Sequence, residues 1–127
     1  MKPTDLRLNN IITDENDFEM YVVGIYEDYI IADFKGNEGD VWEFDFRHSF
    51  PKPIELTEEI LLKCGFENNL DIYFFDEIEG YIKLPFKGSE YFLFKSYGGD
   101  AVCKLKYIHQ LQNLYHTIIG NELNVKL

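Results

Sequence analysis

Within residues 41–46, aromatic and acidic side chains alternate from Trp42 to Phe46, and this alternation constrains the fold more than any other segment does. A period of two residues is that of a β-strand with one face buried and the other in solvent. We therefore expect a half-buried strand whose aromatic face packs on a core and whose acidic face is exposed. The aromatic face carries Trp42, Phe44 and Phe46, and the other face carries Val41 and two candidate binding residues, Glu43 and Asp45.

The rest of residues 1–50 has the pattern of short strands joined by tight turns. Glu27 and Asp28 separate two β-rich runs in the way a two-residue hairpin turn does. A glycine-containing turn follows at 35–39. Four or five antiparallel strands in so short a segment predict a small curled sheet, similar to an SH3-like β-barrel. The clearest predicted strands are 20–26, 29–34 and 41–46.

The second half predicts a helix, a β-meander and a C-terminal helix, which gives an α+β fold. Thr57 is suited to cap the first helix and Gly65 to end it, because these residue types satisfy the unpaired backbone groups at helix ends. Apolar residues at helical spacing predict the last helix over 107–119, which Gly120 ends. The meander strands are expected at 70–75, 80–86, 90–95 and 101–106.

Two prolines interrupt residues 48–56. Proline fixes its own φ angle, lacks an N–H group and makes the preceding residue extended, so we expect a connector without regular structure here. The connector separates two subregions, an acidic β-sheet at 1–50 and a helix–meander–helix at 54–127. A chain of 127 residues has the size of one domain, so we expect residues 1–127 to form a single α+β domain.

Acidic side chains outnumber basic ones by 23 to 12, which gives a net charge of −11. The imbalance is greatest in residues 1–50, which hold 12 acidic and 4 basic side chains. A polyanion repels phosphate backbones and anionic lipids, so we expect no direct nucleic-acid binding and no membrane binding. Residues 1–10 lack the apolar stretch of a secretory signal, and Cys64 and Cys103 form no disulfide framework. We therefore expect a cytoplasmic protein with reduced, buried thiols.

The predicted C-terminal helix is free of charged side chains from Tyr107 to Asn121, in a chain that is 28% charged. Amides and imidazoles are buried at lower cost than charges, provided that they are hydrogen-bonded. One interpretation is a helix face that docks against a partner or against a second copy in a homodimer. The other interpretation is a helix whose amide side chains are hydrogen-bonded within the fold, as most buried amides are. The candidate contact residues are Gln110, Gln112, Asn113 and His116.

Motifs of catalysis and of metal binding are missing from the sequence. His109 and His116 are seven residues apart, which is about 10 Å along a helix and too far for one metal ion. The acidic loop at 14–17 fails as a calcium loop, because Phe18 stands at a ligand position. No phosphate-binding glycine loop or nucleophile elbow occurs. We expect a non-enzymatic protein with no catalytic residue, no metal site and no cofactor.

Residues 109–115 read His-Gln-Leu-Gln-Asn-Leu-Tyr, and Gly, Glu and Leu follow within 120–123. This pattern resembles the C-terminus of small uncharacterised prophage and mobile-element proteins of gut bacteria. Those proteins also carry segments similar to 6–12 and 53–66 of this chain, but they differ from it after Tyr115, at residues 116–119. The resemblance does not extend to residues 67–106. It implies a phage or mobile-element origin and a cytosolic setting, and it implies no activity.

The leading prediction is a phage or mobile-element protein that acts by contact with an unidentified host or phage protein. Two other classes stay open. An acidic inhibitor of host defence would imitate nucleic acid, with Glu43 and Asp45 among its carboxylates; duplex DNA carries one charge per about 1.7 Å of axis, so such an array is dense. A small-ligand-binding protein or enzyme would instead need a closed cleft with convergent polar groups.

Overall fold

The chain divides into two compact units, Met1–Ile54 and Glu55–Leu127, which we call unit 1 and unit 2. The division falls inside the predicted connector. The structure is a computed structural model, and it describes residues 2–36, 39–69, 72–74, 81–83, 91–94 and 101–125.

Unit 1 is an antiparallel five-stranded sheet. A short 3-10 turn, Pro3–Asp5, precedes its strands, which are β1 (Ile11–Thr13), β2 (Glu19–Ile25), β3 (Tyr29–Phe34), β4 (Val41–Asp45) and β5 (Lys52–Pro53). The strand order is β4-β3-β2-β1-β5. A register shift between Val22 and Gly24 of β2 marks a β-bulge, which increases the curl of the sheet. The antiparallel sheet in unit 1 and the two-residue turn between β2 and β3 are both as predicted.

One face of this sheet carries the core of unit 1. Residues directly opposite each other in an antiparallel pair share a face. Trp42 pairs with the buried Ala32, and Phe44 pairs with the buried Ile30, so both aromatic rings lie on the core face. The buried core residues are Leu6, Ile12, Met20, Val22, Ile30, Ala32 and Phe44.

The predicted burial of the aromatic face holds for Phe44, and in part for Phe46, but it is wrong for Trp42. Phe44 is 5% exposed, whereas Trp42 is 58% exposed. The reason is strand order: β4 is the last strand of the sheet, and among the described strands only β3 pairs with it. Alternation identifies the face of a strand but not its place in the sheet.

The prediction that the two prolines exclude regular structure is also wrong, because Lys52–Pro53 form β5. This strand pairs with Ile12 and Thr13 of β1. The hydroxyl of Thr13 also donates a hydrogen bond to the carbonyl of Lys52 at 3.1 Å. Proline is accommodated here because β5 lies at the edge of the sheet, where an N–H can be missing without breaking a ladder.

Unit 2 contains two helices and a second antiparallel sheet, which confirms the α+β class. Its elements are α1 (Glu58–Lys63), β6 (Glu67–Asn69), β7 (Ile72–Phe74), β8 (Tyr81–Lys83), β9 (Tyr91–Phe94), β10 (Ala101–Leu105) and α2 (Ile108–Ile119). The sheet is a meander with the order β10-β9-β8-β7-β6. Parts of the predicted strands 70–75, 80–86 and 90–95 lie outside the described residues. The polar strand β6 was not predicted.

Local end signals position both helices as predicted. The Thr57 hydroxyl oxygen accepts the N–H of Ile60 at 3.2 Å and caps α1. Gly65 follows α1 with φ of 98°, and Gly120 follows α2 with φ of 85°, the left-handed conformation that glycine adopts without strain. Cys64 is buried and free, as expected; the side chain of Cys103 is outside the described part of the chain. Among the described helices, none is long and apolar enough to cross a membrane.

Candidate functional site

Strand β4 forms one edge of the sheet of unit 1. Hydrogen-bonded and non-hydrogen-bonded pairs alternate along an antiparallel ladder. The N–H of Phe46 donates to the carbonyl of Asp28 at 2.8 Å, and the same register places Phe44 opposite Ile30. Phe44, and Trp42 two residues before it, therefore direct their backbone N–H and C=O groups toward β3.

The intervening residues Val41, Glu43 and Asp45 direct their backbone groups away from β3. The carbonyl of Asp45 accepts the N–H groups of His48 and Ser49, both at 2.9 Å, so a turn closes this end of the strand. Val41 and Glu43 are left with outward N–H and C=O groups, the arrangement that an edge strand offers to water or to another strand.

Large apolar side chains accompany these backbone groups. Val41 and Trp42 are both exposed, and Trp42 is the single tryptophan of the chain. Edge strands usually avoid such side chains, because together with unpaired backbone groups they favour pairing with another chain. We call the outward backbone of Val41 and Glu43, with the side chains of Val41 and Trp42, the β4 edge. This edge is able to accept an additional strand.

Of the two acidic residues predicted on this strand, Glu43 is exposed, and Asp45 is engaged in its own turn. The carboxylate of Asp45 accepts the backbone N–H and the Nε–H of Arg47, each at 3.0 Å. An ion pair of 2.8 Å joins Arg47 Nη2 to Asp45 Oδ2. These hydrogen bonds from Arg47 lower the pKa of Asp45 from 3.8 to about 2. Asp45 therefore shapes the turn after β4.

Ion pairs within unit 1 compensate part of the charge on which imitation of nucleic acid would depend. Lys35 Nζ lies 3.2 Å from Glu19 Oε2, and Lys52 Nζ lies 2.7 Å from Asp17 Oδ1. The buried carboxylate of Asp33 accepts hydrogen bonds within the unit. Glu19, Asp17 and Asp33 are therefore engaged in intramolecular contacts and do not belong to an array of unpaired carboxylates.

A pocket of about 410 Å³ lies where β3 ends and β4 begins. Two aromatic rings contribute to its wall: Phe18 is 62% exposed, and Phe34 is partly buried. Asp40 directly precedes β4, so the pocket adjoins the β4 edge. The lining residues are Asp14, Asn16, Phe18, Phe34, Lys35 and Asp40.

The predicted contact residue Gln110 stabilises the start of α2. Its Oε1 atom accepts the backbone N–H groups of Lys106 and Tyr107, at 2.7 and 3.0 Å. Helix N-termini leave such N–H groups without a partner inside the helix, so this side chain acts as a cap.

The other predicted contact residues on α2 do not form one exposed face. Gln112 is only 3% exposed, and Asn113 and His116 are partly buried. The hydroxyl of Thr117 donates to the carbonyl of Asn113 at 2.8 Å. Ile118 is the exposed large apolar residue of this helix. Only part of the predicted amide face is therefore accessible to a partner.

No group of three or more His, Cys, Asp or Glu side chains is arranged to hold a metal ion in the part of the chain that the structure describes. Comparisons with known protein families, with curated proteins and with solved structures found no match.

The sequence contained partial signals for the residues that its interpretation missed. Phe18 is a single aromatic residue at the end of a polar loop, a position where a ring has few apolar neighbours in sequence. Trp42 lies near the start of the predicted strand 41–46, three residues after the predicted turn at 35–39. Neither signal identifies a sheet edge, which depends on the pairing of distant segments.

Proposed function

We propose that this chain is a non-enzymatic protein of the bacterial cytosol, encoded by a phage or mobile element, that binds an extended segment of another protein along the β4 edge. The observation that carries the proposal is the exposed Trp42 beside outward backbone groups at Val41 and Glu43. In strand addition the main chain supplies affinity and the side chains supply specificity. The resemblance of the C-terminal residues supports the phage or mobile-element origin.

Charge favours a different protein over a second copy as the occupant of this edge. Antiparallel pairing of two β4 strands centred on Glu43 would set two carboxylates directly opposite each other, which is destabilising. Each chain also carries a net charge of −11, so two copies repel each other. An extended segment that contains basic residues has complementary charge.

We also propose that unit 1 is an SH3-like half-barrel. Strands β1 to β4 are neighbours in chain order, and β5 returns to pair with β1. The bulge in β2 adds curvature of the kind that small barrels need.

A proline substitution tests whether the backbone of β4 makes the contact. The N–H of Glu43 faces away from β3, so Glu43→Pro removes an outward donor while the ladder to β3 stays intact. Glu43→Ala is the matched control, because it removes the same side chain and keeps the N–H. Peptides are selected from a random displayed library against the wild-type chain, and their binding is measured by the fluorescence of Trp42.

We expect Glu43→Ala to bind the selected peptides like the wild type and Glu43→Pro to bind at least about tenfold more weakly, because an inter-chain hydrogen bond is lost and the ring obstructs the approaching strand. Equal binding by both variants would exclude the β4 edge. Loss of binding in Ile118→Glu instead would place the contact on α2. Peptide binding that is unchanged by Glu43→Pro but weakens steeply with increasing salt concentration would favour the acidic mimic of nucleic acid.

A further inference from the structure

We propose that the pocket beside the β4 edge binds the guanidinium group of an arginine in the partner segment. This inference rests on the proposed function for the partner, and on the pocket itself for the chemistry of the bound group. The pocket volume of about 410 Å³ lies within the range of about 300–1,000 Å³ typical of small-ligand sites. Two phenylalanine rings and two carboxylates in its lining are the groups that a guanidinium contacts best.

The aromatic wall is held in position by the loop before β2. Asp14 Oδ1 accepts the N–H groups of Asn16 and Phe18, both at 2.9 Å. The N–H of Asp17 donates to the carbonyl of Asp14 at 3.1 Å. Lys52 anchors the same loop through its ion pair with Asp17. The backbone of the loop that carries Phe18 is therefore held in the free protein, so ligand binding does not have to order this backbone.

The charge of the lining favours a cation. Asp14 uses one carboxylate oxygen for its loop, and a carboxylate offers about four lone-pair sites, so Oδ2 retains capacity for a ligand. The side chain of Asp40 is exposed and also lines the pocket. Lys35 also lines the pocket, but its ammonium group is paired with Glu19 at 3.2 Å. The lysine therefore opposes a bound cation less than its formal charge suggests.

Guanidinium fits this lining better than ammonium does. It is planar, so it stacks on an aromatic face, and its forked N–H donors match a carboxylate. Lysine ammonium is more strongly hydrated and loses more solvation in an aromatic pocket. Position is compatible with the same occupant: Asp40 directly precedes Val41, so a segment that pairs with the β4 edge and continues beyond Val41 reaches the end of the sheet at which the pocket lies.

Titration of the full chain with N-acetyl-arginine amide, followed by ¹H–¹⁵N NMR, tests the pocket without any partner. N-acetyl-citrulline amide has nearly the same shape and no charge, so it is the matched probe. We expect saturable chemical-shift changes at the amides of Phe18 and Phe34. The citrulline compound should bind about tenfold more weakly, because it carries no positive charge to interact with the two carboxylates.

Variants assign the effect to the pocket. Asp14→Asn keeps an oxygen for the loop and removes the charge, and Asp40→Asn removes the second charge; each should weaken arginine binding about threefold. Phe18→Leu keeps an apolar side chain and removes the aromatic face, with a similar loss. Glu27→Gln, at the opposite end of β3, is the control and should leave binding unchanged.

Equal binding of arginine and citrulline, or shifts spread over all acidic residues including Glu27, would overturn the inference. Absence of a shift at Phe18 would do the same. The two proposals can be refuted separately. If arginine binds but Glu43→Pro leaves the peptide affinity unchanged, the pocket is supported as an arginine site and the β4 edge is excluded as the peptide site. Peptide binding that is weakened by Glu43→Pro but does not require an arginine in the peptide would support the β4 edge as the binding site and exclude the pocket as an arginine site.

Discussion

Adjacent residues of β4 should respond differently to proline, because their N–H groups point in opposite directions. Trp42→Pro removes a hydrogen bond to β3, worth about 0.5–1.5 kcal/mol, and leaves a carbonyl of the buried Ala32 without its donor, which costs about 1–3 kcal/mol. The expected loss in the free energy of unfolding is about 2–4 kcal/mol. Glu43→Pro removes only an outward N–H, and we expect a loss below about 1 kcal/mol.

Each proline variant is compared with alanine at the same position, so that loss of the side chain cancels from the difference. Urea unfolding is followed through the amide resonances of Ile12 and Ile30, because two compact units need not unfold together. With an m-value of about 1–3 kcal/mol/M, Trp42→Pro should lower the midpoint of unit 1 by at least about 0.7 M relative to Trp42→Ala. Glu43→Pro should lie close to Glu43→Ala.

Equal penalties at the two positions would refute the reasoning. The N–H of Glu43 would then take part in the ladder with β3, and the β4 edge would lack the donors that strand addition requires. Hydrogen exchange of the wild-type chain gives an independent measurement: the amide of Phe44 should exchange slowly and the amide of Glu43 quickly.

Three further predictions follow from the contacts described above. Arg47→Gln should return the pKa of Asp45 from about 2 toward 3.8, as measured by carboxyl NMR titration, and a pKa that stays low would contradict the assignment of the shift to Arg47. In the wild type, the ion pair stabilises unit 1 at pH values above 3.8, and this stabilisation is lost as the pH falls toward 2. Burial raises the pKa of the Cys64 thiol to about 11, so iodoacetamide at neutral pH should label Cys64 only in urea. Labelling of Cys64 in the native chain, located by mass spectrometry of its peptides, would disprove this prediction. Gln110→Ala should destabilise unit 2 by about 1–2 kcal/mol in thermal unfolding, because two N–H groups lose their acceptor, whereas Gln110→Glu, which keeps the oxygen, should not.

Features fixed by neighbouring residues could be predicted from the sequence. Thr57 and Gly65 bound α1 because a cap and a left-handed residue act within one helical turn. The turn at Glu27 and Asp28 is equally local. The alternation in β4 correctly predicted which side chains share a face, since that depends only on the pleat of one strand.

Features that depend on the order of strands could not be predicted in the same way. A central strand and an edge strand can carry the same alternation, so the exposure of Trp42 follows only from the position of β4 in the sheet. The pairing of Lys52–Pro53 with β1 joins segments about 40 residues apart, which turn signals do not report. Gln110 is predicted to be a contact residue because it is polar and uncharged, but that property suits a helix cap as well as a contact surface.

The two edges of the sheet in unit 1 differ in a way that bears on function. The β5 edge is two residues long, contains Pro53, and carries Lys52 in an ion pair with Asp17. Short length, proline and lysine are the features by which edge strands avoid pairing with other chains. Strand β4, at the other edge, is five residues long, has no proline and exposes Trp42. The same sheet therefore has one edge with these protective features and one edge without them, which is the asymmetry that the proposed addition of a partner strand at β4 requires.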